Sequence, residues 1–278
     1  MKINKAGEME YLTFSALEET GCVEHLFSTR AGGVSKGMFA TMNLSDARGD
    51  EPQAVLENYR RIANVLHNKT EAMVLSKQTH TTNVRAVYRE DAGNGVTKQN
   101  QYEDVDGLVT NEPGLILVTL YADCVPLYMV DPVHKAIGLS HSGWRGTVGK
   151  IGARTVEKMS ELYDTRPEDV IAAIGPSICQ DCYEVSEDVI DAFKESFQET
   201  VWQTLFRTSK EKSKYQLNLW EANRQVLLEA GIRADHINMA NLCTCCHSDY
   251  LFSHRATQGK RGNLGAFLML RSKEAVFR

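Results

Sequence analysis

Three apolar runs of this chain each lead to a side chain that can hold a metal. Val74-Leu75-Ser-Lys-Gln-Thr-His80 ends on an imidazole, Leu115 to Leu120 leads through Tyr-Ala-Asp123 to the thiol of Cys124, and Ala136-Ile-Gly-Leu-Ser140 leads to His141. Runs rich in Leu, Ile and Val read as buried strands, so the three side chains would stand at strand ends. If they meet, two imidazoles and a thiolate give zinc three protein ligands and leave a fourth position for water or substrate. Zinc in that state lowers the pKa of bound water and polarises oxygens. We expect His80, Cys124 and His141 to converge on one such ion. A hydrolase with Cys124 as nucleophile and His141 as base is the reading that needs no metal, and it leaves His80 without a task. Asp123 adds weight to the site, because a buried carboxylate without compensation is costly.

A second set competes for metal. Cys179-x-x-Cys182 and Cys243-x-x-Cys246 together spell a four-cysteine zinc pattern, which would be structural because four protein ligands close the sphere. About sixty residues that read as two helices separate the halves, far more than in ordinary zinc ribbons or fingers. These cysteines, with Cys22 and Cys245, are therefore read most simply as buried or surface thiols. Other metal chemistries fit less well. Zinc nucleobase deaminases carry His-x-Glu with Pro-Cys-x-x-Cys, and no histidine here is followed by x-Glu. Multicopper oxidases use many histidines in His-x-His pairs, whereas this chain has eight histidines and no such pair.

Anion chemistry is suggested twice. Ser28-Thr-Arg30-Ala-Gly32-Gly33-Val-Ser35-Lys-Gly37 is Gly-rich and contains an arginine able to pair with an anion, although taken alone a hairpin turn with a solvated arginine is the commoner reading. After the strand ending at His141, Gly143-Trp144-Arg145-Gly146-Thr147 opens a helix, where free amides and the positive end of the dipole favour phosphate. It is not a Walker A loop, since Gly-Lys-Ser/Thr is missing.

The elements that must position these groups are legible in outline. Asp50-Glu-Pro52 with Val55, Tyr59, Ile62 and Leu66 reads as a capped helix. Cys22–Phe27, Ala72–Ser76, Val84–Tyr88, Val170–Ile174 and Leu264–Leu270 read as strands. Asp106–Thr110 and Leu115–Leu120 read as a hairpin around Asn111-Glu-Pro-Gly114. Pro126 limits pairing and places its strand at an edge or a bulge. One helix is expected to carry Val148, Ile151, Thr155, Met159 and Leu162 on its core face. Ser186 should cap another carrying Val189, Ile190, Phe193 and Phe197, and Asn218–Ala230 a third, stopped by Gly231.

Bulk numbers narrow the class. With 278 residues, 42% hydrophobic and 24% charged, the chain is long enough for a substantial core and is ordinary for a globular protein. A net charge of -5 argues against a nucleic-acid surface. No apolar run reaches membrane length and no signal-peptide core opens the chain, so a cytoplasmic protein without nucleic-acid or membrane partners is expected. The polar stretch Arg89–Gln101 reads as a surface loop, leaving one domain over residues 1–278.

Five motifs in order, Phe27-Ser-Thr-Arg30-Ala-Gly-Gly-Val-Ser, Gln78-Thr-His80, Ala122-Asp-Cys124-Val-Pro126, His141-Ser-Gly-Trp-Arg-Gly146 and Ala173-Ile-Gly-Pro-Ser177, resemble the YfiH/YlmD family, most closely its YlmD branch. The likeness runs over nearly the whole chain, with departures at Tyr121, Ser142 and Ala256. It implies an α/β (α+β) YfiH-like fold with mixed β-sheets and flanking helices, and metal ligands at His80, Cys124 and His141. It also implies a zinc-dependent purine nucleoside phosphorylase acting on adenosine, inosine and methylthioadenosine, with adenosine deaminase activity. The same family has carried a polyphenol oxidase label, which would require copper. A non-catalytic zinc-stabilised binding module is the remaining class. In the phosphorylase reading Arg145 with the Gly146 and Thr147 amides would hold phosphate, Arg30 would assist, and Asp123 would carry a proton in deamination. Cys243 and Thr244 would approach the pocket.

Overall fold

The computed structural model describes residues 1–272. Its first strands are β1 (Lys2–Ala6), β2 (Met9–Thr13), β3 (Val23–Ser28), β4 (Met73–Leu75) and β5 (Val84–Ala86). The middle of the chain supplies β6 (Gly107–Thr110), β7 (Ile116–Tyr121), β8 (Val125–Asp131), β9 (Ala136–Ser142) and β10 (Ile171–Ile174). Last come β11 (Glu184–Ser186), β12 (Phe206–Thr208), β13 (Lys214–Leu217), β14 (Ile237–Met239) and β15 (Leu264–Leu270). Among the described residues they form two six-stranded sheets, β1-β2-β3-β15-β7-β4 and β14-β10-β8-β9-β6-β5, and a three-stranded sheet β11-β13-β12. Both large sheets are mixed: β4 runs parallel to β7, β5 to β6 and β10 to β14, and the other pairs are antiparallel.

Side-chain alternation explains why the two sheets stack. In β8, Tyr128 and Val130 enter the layer between the large sheets, while Leu127 and Met129 enter the layer beneath the helices. In β15, Leu264, Ala266 and Leu268 face the inter-sheet layer, and Phe267 and Met269 face the helix Pro52–Val65 through Tyr59 and Ile62. The outer side of the second sheet is covered by the helices Ile151–Tyr163, Glu187–Ser196 and Leu219–Glu229. The order is therefore helix, sheet, sheet, helices. Strands buried on both faces read as continuous apolar runs, which is the pattern seen at β7, β8 and β15. Tyr128 ties the sheets together by donating its hydroxyl to the Leu26 carbonyl at 2.9 Å.

Several local expectations are corrected. β6 and β7 are not a hairpin: β6 pairs with β5 and β9, whereas β7 pairs with β4 and β15 in the other sheet. Gly114, at φ 80°, donates its N–H to Leu270 and carries the chain across. Pro126 lies in an interior strand, not at an edge. Its position is one residue beyond the last β8–β10 pair, Leu127 with Ile174, and its carbonyl accepts from Gly175. The helix after His141 breaks into Trp144–Val148 and Ile151–Tyr163 at Lys150, which is left-handed, and Leu162 is 41% exposed and not in the core. Ser186 stands at the N-cap, but its hydroxyl bonds to Asp188 and not to a backbone amide. Likewise Glu51, the N-cap of the first long helix, makes no side-chain cap, and Asp50 accepts instead from Asn43. Asn218 and Gly231 behave as expected, Asn218 accepting from the Glu221 amide and Gly231 adopting φ 91°. No helix among the described residues is long and apolar enough to cross a membrane.

The close seat of the helix Ile151–Tyr163 on β9, three residues before His141, depends on Gly138. A Cβ there would lie 2.7 Å from Thr155 Cγ2 and 3.0 Å from Met159 Sδ. Gly138→Ala should therefore destabilise the fold by about 1–3 kcal/mol through overpacking. Thermal unfolding followed by circular dichroism checks this, and an unchanged Tm would mean that the helix can move away without loss.

Candidate metal and active site

His80, from the segment after β4, Cys124, from the link between β7 and β8, and His141, near the end of β9, meet. One ligand atom from each lies within 4.8 Å of the others. The His80 Nε2 to Cys124 Sγ distance is 3.8 Å, and the two imidazole rings stand edge to face at 4.9 Å. His141 is buried, Cys124 is half-buried and His80 is exposed, so the cluster opens to solvent on the His80 side.

Asp106, a residue the sequence reading passed over, holds this geometry. Its carboxylate accepts from His141 Nδ1 at 2.8 Å and from the amides of Thr79, His80 and Thr81 at 2.9, 3.1 and 3.0 Å. The Thr81 hydroxyl adds a further bond. The amides of Thr79, His80 and Thr81 thus wrap around one carboxylate, and His80 sits in the left-handed region at φ 66°. With Nδ1 engaged, His141 presents Nε2 to the cluster. Gln78 explains the spacing of Gln78-Thr-His80. Its amide donates to the Leu120 carbonyl and accepts from the Leu120 N–H, both at 2.7 Å, extending the β4–β7 pairing by one rung. Gly143 is required for a different reason: a Cβ there would lie 2.7 Å from the His80 ring and 3.3 Å from Cys124 Sγ.

The charges are coupled. Burial raises the Cys124 thiol, but His141 and His80 beside it outweigh this and bring it down to about 6. Burial lowers His141, yet Cys124 and the hydrogen-bonded Asp106 lift it to about 9. Asp106 is raised by burial, and the bonds from His141 and the amides of Thr79 and Thr81 more than offset that, holding it below its ordinary value. The arrangement is an aspartate–histidine–thiolate line with a second imidazole facing the sulfur.

His80, Cys124 and His141 form the floor of a cavity of about 580 Å³, within the range of small-molecule sites. Trp144, Tyr183, Leu120 and Ile178 supply apolar and aromatic walls. Arg48, Arg145, Arg255 and Arg261 bring positive charge, and Asp123 is the carboxylate in the lining. Arg261 stands out: burial and the neighbouring Arg48 lower it to about 10, and its buried Nε has no hydrogen-bond partner. The other side of that guanidinium donates to Asn263 Oδ1 and the Gly262 carbonyl. Arg48 and Arg261 carried no motif that sequence reasoning could have used.

The other expected site residues divide. Asp123 lines the cavity at φ 92°, accepting from the Thr244 hydroxyl at 2.6 Å and the Arg255 amide at 2.7 Å. Thr244 thus approaches the site as expected, whereas the Cys243 thiol accepts from the amides of Cys179 and Cys246, away from the pocket. Arg145 lines the mouth, exposed, with its guanidinium 4.3 Å over the Trp144 ring. The expected amide cradle is not formed by its neighbours. Thr147 N–H is taken by the Gly143 carbonyl at 2.8 Å and its hydroxyl by Ser142, Gly143 and Asn223, while Gly146 is buried outside the lining. Arg30 is also misassigned as an anion partner. Its guanidinium donates to the Ala40 and Ser248 carbonyls and packs over Phe252, so it ties two loops together and is not part of the lining. The four cysteines read as separate thiols also converge within 4.8 Å, because the parallel bridge between Ser177 and Cys243 joins the two Cys-x-x-Cys turns across the intervening residues.

Residues 24–271 match a family model described as multi-copper polyphenol oxidoreductase laccase. The chain is 35% identical over 243 residues to purine nucleoside phosphorylase YlmD of Bacillus subtilis (strain 168), covering 87% of this chain and 86% of that one. It is 34% identical over 249 residues to adenosine deaminase RL5 of an unknown prokaryotic organism, covering 89% and 93%. The crystal structure of YlmD from Geobacillus stearothermophilus superposes with a TM-score of 0.88 at 34% identity, over 97% of this chain and 98% of that one. With its motifs, its sheet topology and its full-length relatives in agreement, the chain belongs to the multi-copper polyphenol oxidoreductase laccase family, among its YfiH and YlmD members.

Proposed function

We propose that this chain is a zinc-dependent purine nucleoside phosphorylase, converting adenosine, inosine or methylthioadenosine and phosphate to the free base and ribose 1-phosphate or its methylthio analogue, with adenosine deamination as a second activity. The observation that carries the reading is one cavity whose lining sets four arginines, Arg48, Arg145, Arg255 and Arg261, and two aromatic walls beside the His80–Cys124–His141 cluster. A nucleoside needs an apolar face for its base, and phosphate needs unspent cationic donors. The relatives named purine nucleoside phosphorylase and adenosine deaminase support it.

Two imidazoles and one thiolate within 4.8 Å fit zinc, which takes nitrogen and sulfur ligands, and copper accepts the same donors. The oxidase reading requires more. Among the described residues the converging metal-capable groups are this one and the four cysteines, and neither offers more than two histidines. When bound, the metal would act as a Lewis acid at the cavity floor. Phosphorolysis itself is a displacement: a phosphate oxygen bonds to the anomeric carbon, the bond from that carbon to the base nitrogen breaks, and the base leaves with the electron pair and takes a proton. Arg48 and Arg261 orient the phosphate and offset its charge, with Arg145 at the mouth. Trp144 and Tyr183 flank the base, and Asp106 keeps His141 in the tautomer with Nε2 facing the cluster. In deamination, water adds at purine C6 and ammonia departs, with Asp123 passing the proton as the carboxylate in the lining. A thiol hydrolase is the second reading, favoured by the Cys124 thiol brought down to about 6 beside His141.

Product analysis with inosine and phosphate tests the assignment. Wild type should release hypoxanthine and ribose 1-phosphate, and His80→Ala or Cys124→Ala should abolish this. Undiminished ribose 1-phosphate from either variant sinks the reading. A chelator should remove activity and zinc restore it, whereas a thiol hydrolase survives chelation and is lost on alkylation. Asp106→Asn should lower metal affinity or activity roughly 10–100-fold while the protein remains folded. Arg48→Ala and Arg261→Ala should raise the KM for phosphate roughly tenfold or more, as expected for a lost charged hydrogen bond, and leave the KM for inosine nearly unchanged. Equal effects on both constants would remove phosphate from that corner of the cavity.

A further inference from the structure

The two Cys-x-x-Cys turns form a second site distinct from the cavity floor. The Cys179–Cys246 and Cys182–Cys246 sulfur separations are 3.9 and 3.5 Å, and all four thiols of Cys179, Cys182, Cys243 and Cys246 lie within 4.8 Å of one another. Sulfurs on a tetrahedron with zinc–sulfur bonds of about 2.3 Å are roughly 3.8 Å apart, whereas a disulfide needs about 2.05 Å. Backbone amides are aimed at one of the sulfurs: Cys243 Sγ accepts from Cys246 N at 3.4 Å, three residues along its own turn, and from Cys179 N at 3.2 Å in the other turn. Amide donors suit a thiolate better than a thiol. The scaffold brings the halves together without the sulfurs' help, since Ser177 donates to the Leu242 carbonyl and Thr244 donates to the Ser177 carbonyl. Cys245, between two members of the set, lies outside it.

We propose that Cys179, Cys182, Cys243 and Cys246 bind a structural zinc ion with a closed four-sulfur shell. Its task follows from its neighbours. Ile178 precedes Cys179 and Tyr183 follows Cys182, and both line the cavity; Thr244 follows Cys243 and bonds to Asp123. The ion would hold one wall of the cavity at a fixed distance from its floor, while its four protein ligands leave no position for substrate.

The test uses full-length protein purified under reducing conditions without chelator, in a His80→Ala/Cys124→Ser background that removes the cavity set. Its result is therefore independent of the phosphorylase reading. Elemental analysis should find about one zinc per chain there, as for one closed structural site. Adding Cys182→Ser and Cys246→Ser should remove it and lower the Tm, and Cys245→Ser should leave the metal in place. Cobalt exchanged into the same background should show the intense sulfur-to-metal absorption and visible bands of tetrahedral four-thiolate coordination. That spectrum decides the question alone if the serine variants fail to fold. A background protein without metal in which all four thiols titrate freely overturns the proposal, as does a Cys179–Cys246 or Cys182–Cys246 disulfide in the non-reduced peptide map.

Discussion

A carboxylate with no exposed surface, Asp106, governs the arrangement of this molecule. Burying such a charge is costly unless its oxygens are occupied, and here they are met by an imidazole, three amides and a hydroxyl. Satisfying it forces the turn at residues 79–81 to curl around one point and turns the His141 ring toward that same point. Two side chains far apart in sequence thereby acquire a fixed relation through their shared carboxylate. Gly143 completes the constraint by leaving room for the His80 ring and the Cys124 sulfur.

The rest of the fold serves this constraint by bringing three strand ends to one place. β4 and β7 belong to one large sheet, and β6, β8 and β9 to the other. His80 follows β4, Cys124 bridges the sheets between β7 and β8, and His141 lies in β9. The site therefore exists only where the sheets are stacked in register, and the inter-sheet layer around Tyr121, Tyr128 and Leu139 sets that register. Tyr121 belongs to both systems, its ring 5.5 Å from His141 and its hydroxyl bonded to Thr119 and the Ser140 carbonyl. Packing and chemistry are thus held by the same residues.

Charge is distributed with a purpose similar to that of the packing. Around a thiol flanked by imidazoles, arginines approach from the segments near residues 48, 145, 255 and 261, although the chain as a whole is acidic. An anion entering the cavity meets a local field opposite in sign to the net charge. Low-dielectric walls strengthen such a field relative to the open surface. Asp123 links this region to the cysteine cluster through Thr244, so the two metal-capable groups share a wall.

What the sequence determined by itself was which three side chains, His80, Cys124 and His141, meet at the cavity floor, and the mixture of strands and helices that brings them there. Apolar runs ending on His, Cys and His, and amphipathic periods with caps, are local signals that survive folding. Only the tertiary structure decided which strands pair and which donors remain unspent. A strand buried on both faces carries no mark of its neighbour, so β6 and β7 read as a hairpin although they lie in different sheets. Arg30 and Arg261 look alike in the chain, yet backbone carbonyls consume the first and leave the second with a free buried donor. Asp106 was hidden for the same reason, and the spacing of Cys179 and Cys182 with Cys243 and Cys246 spelled a zinc pattern but gave no sign that the long intervening segment would fold back to join the halves. Hydrogen-bond satisfaction and distance are properties of three-dimensional neighbours, and spacing along the chain does not encode them.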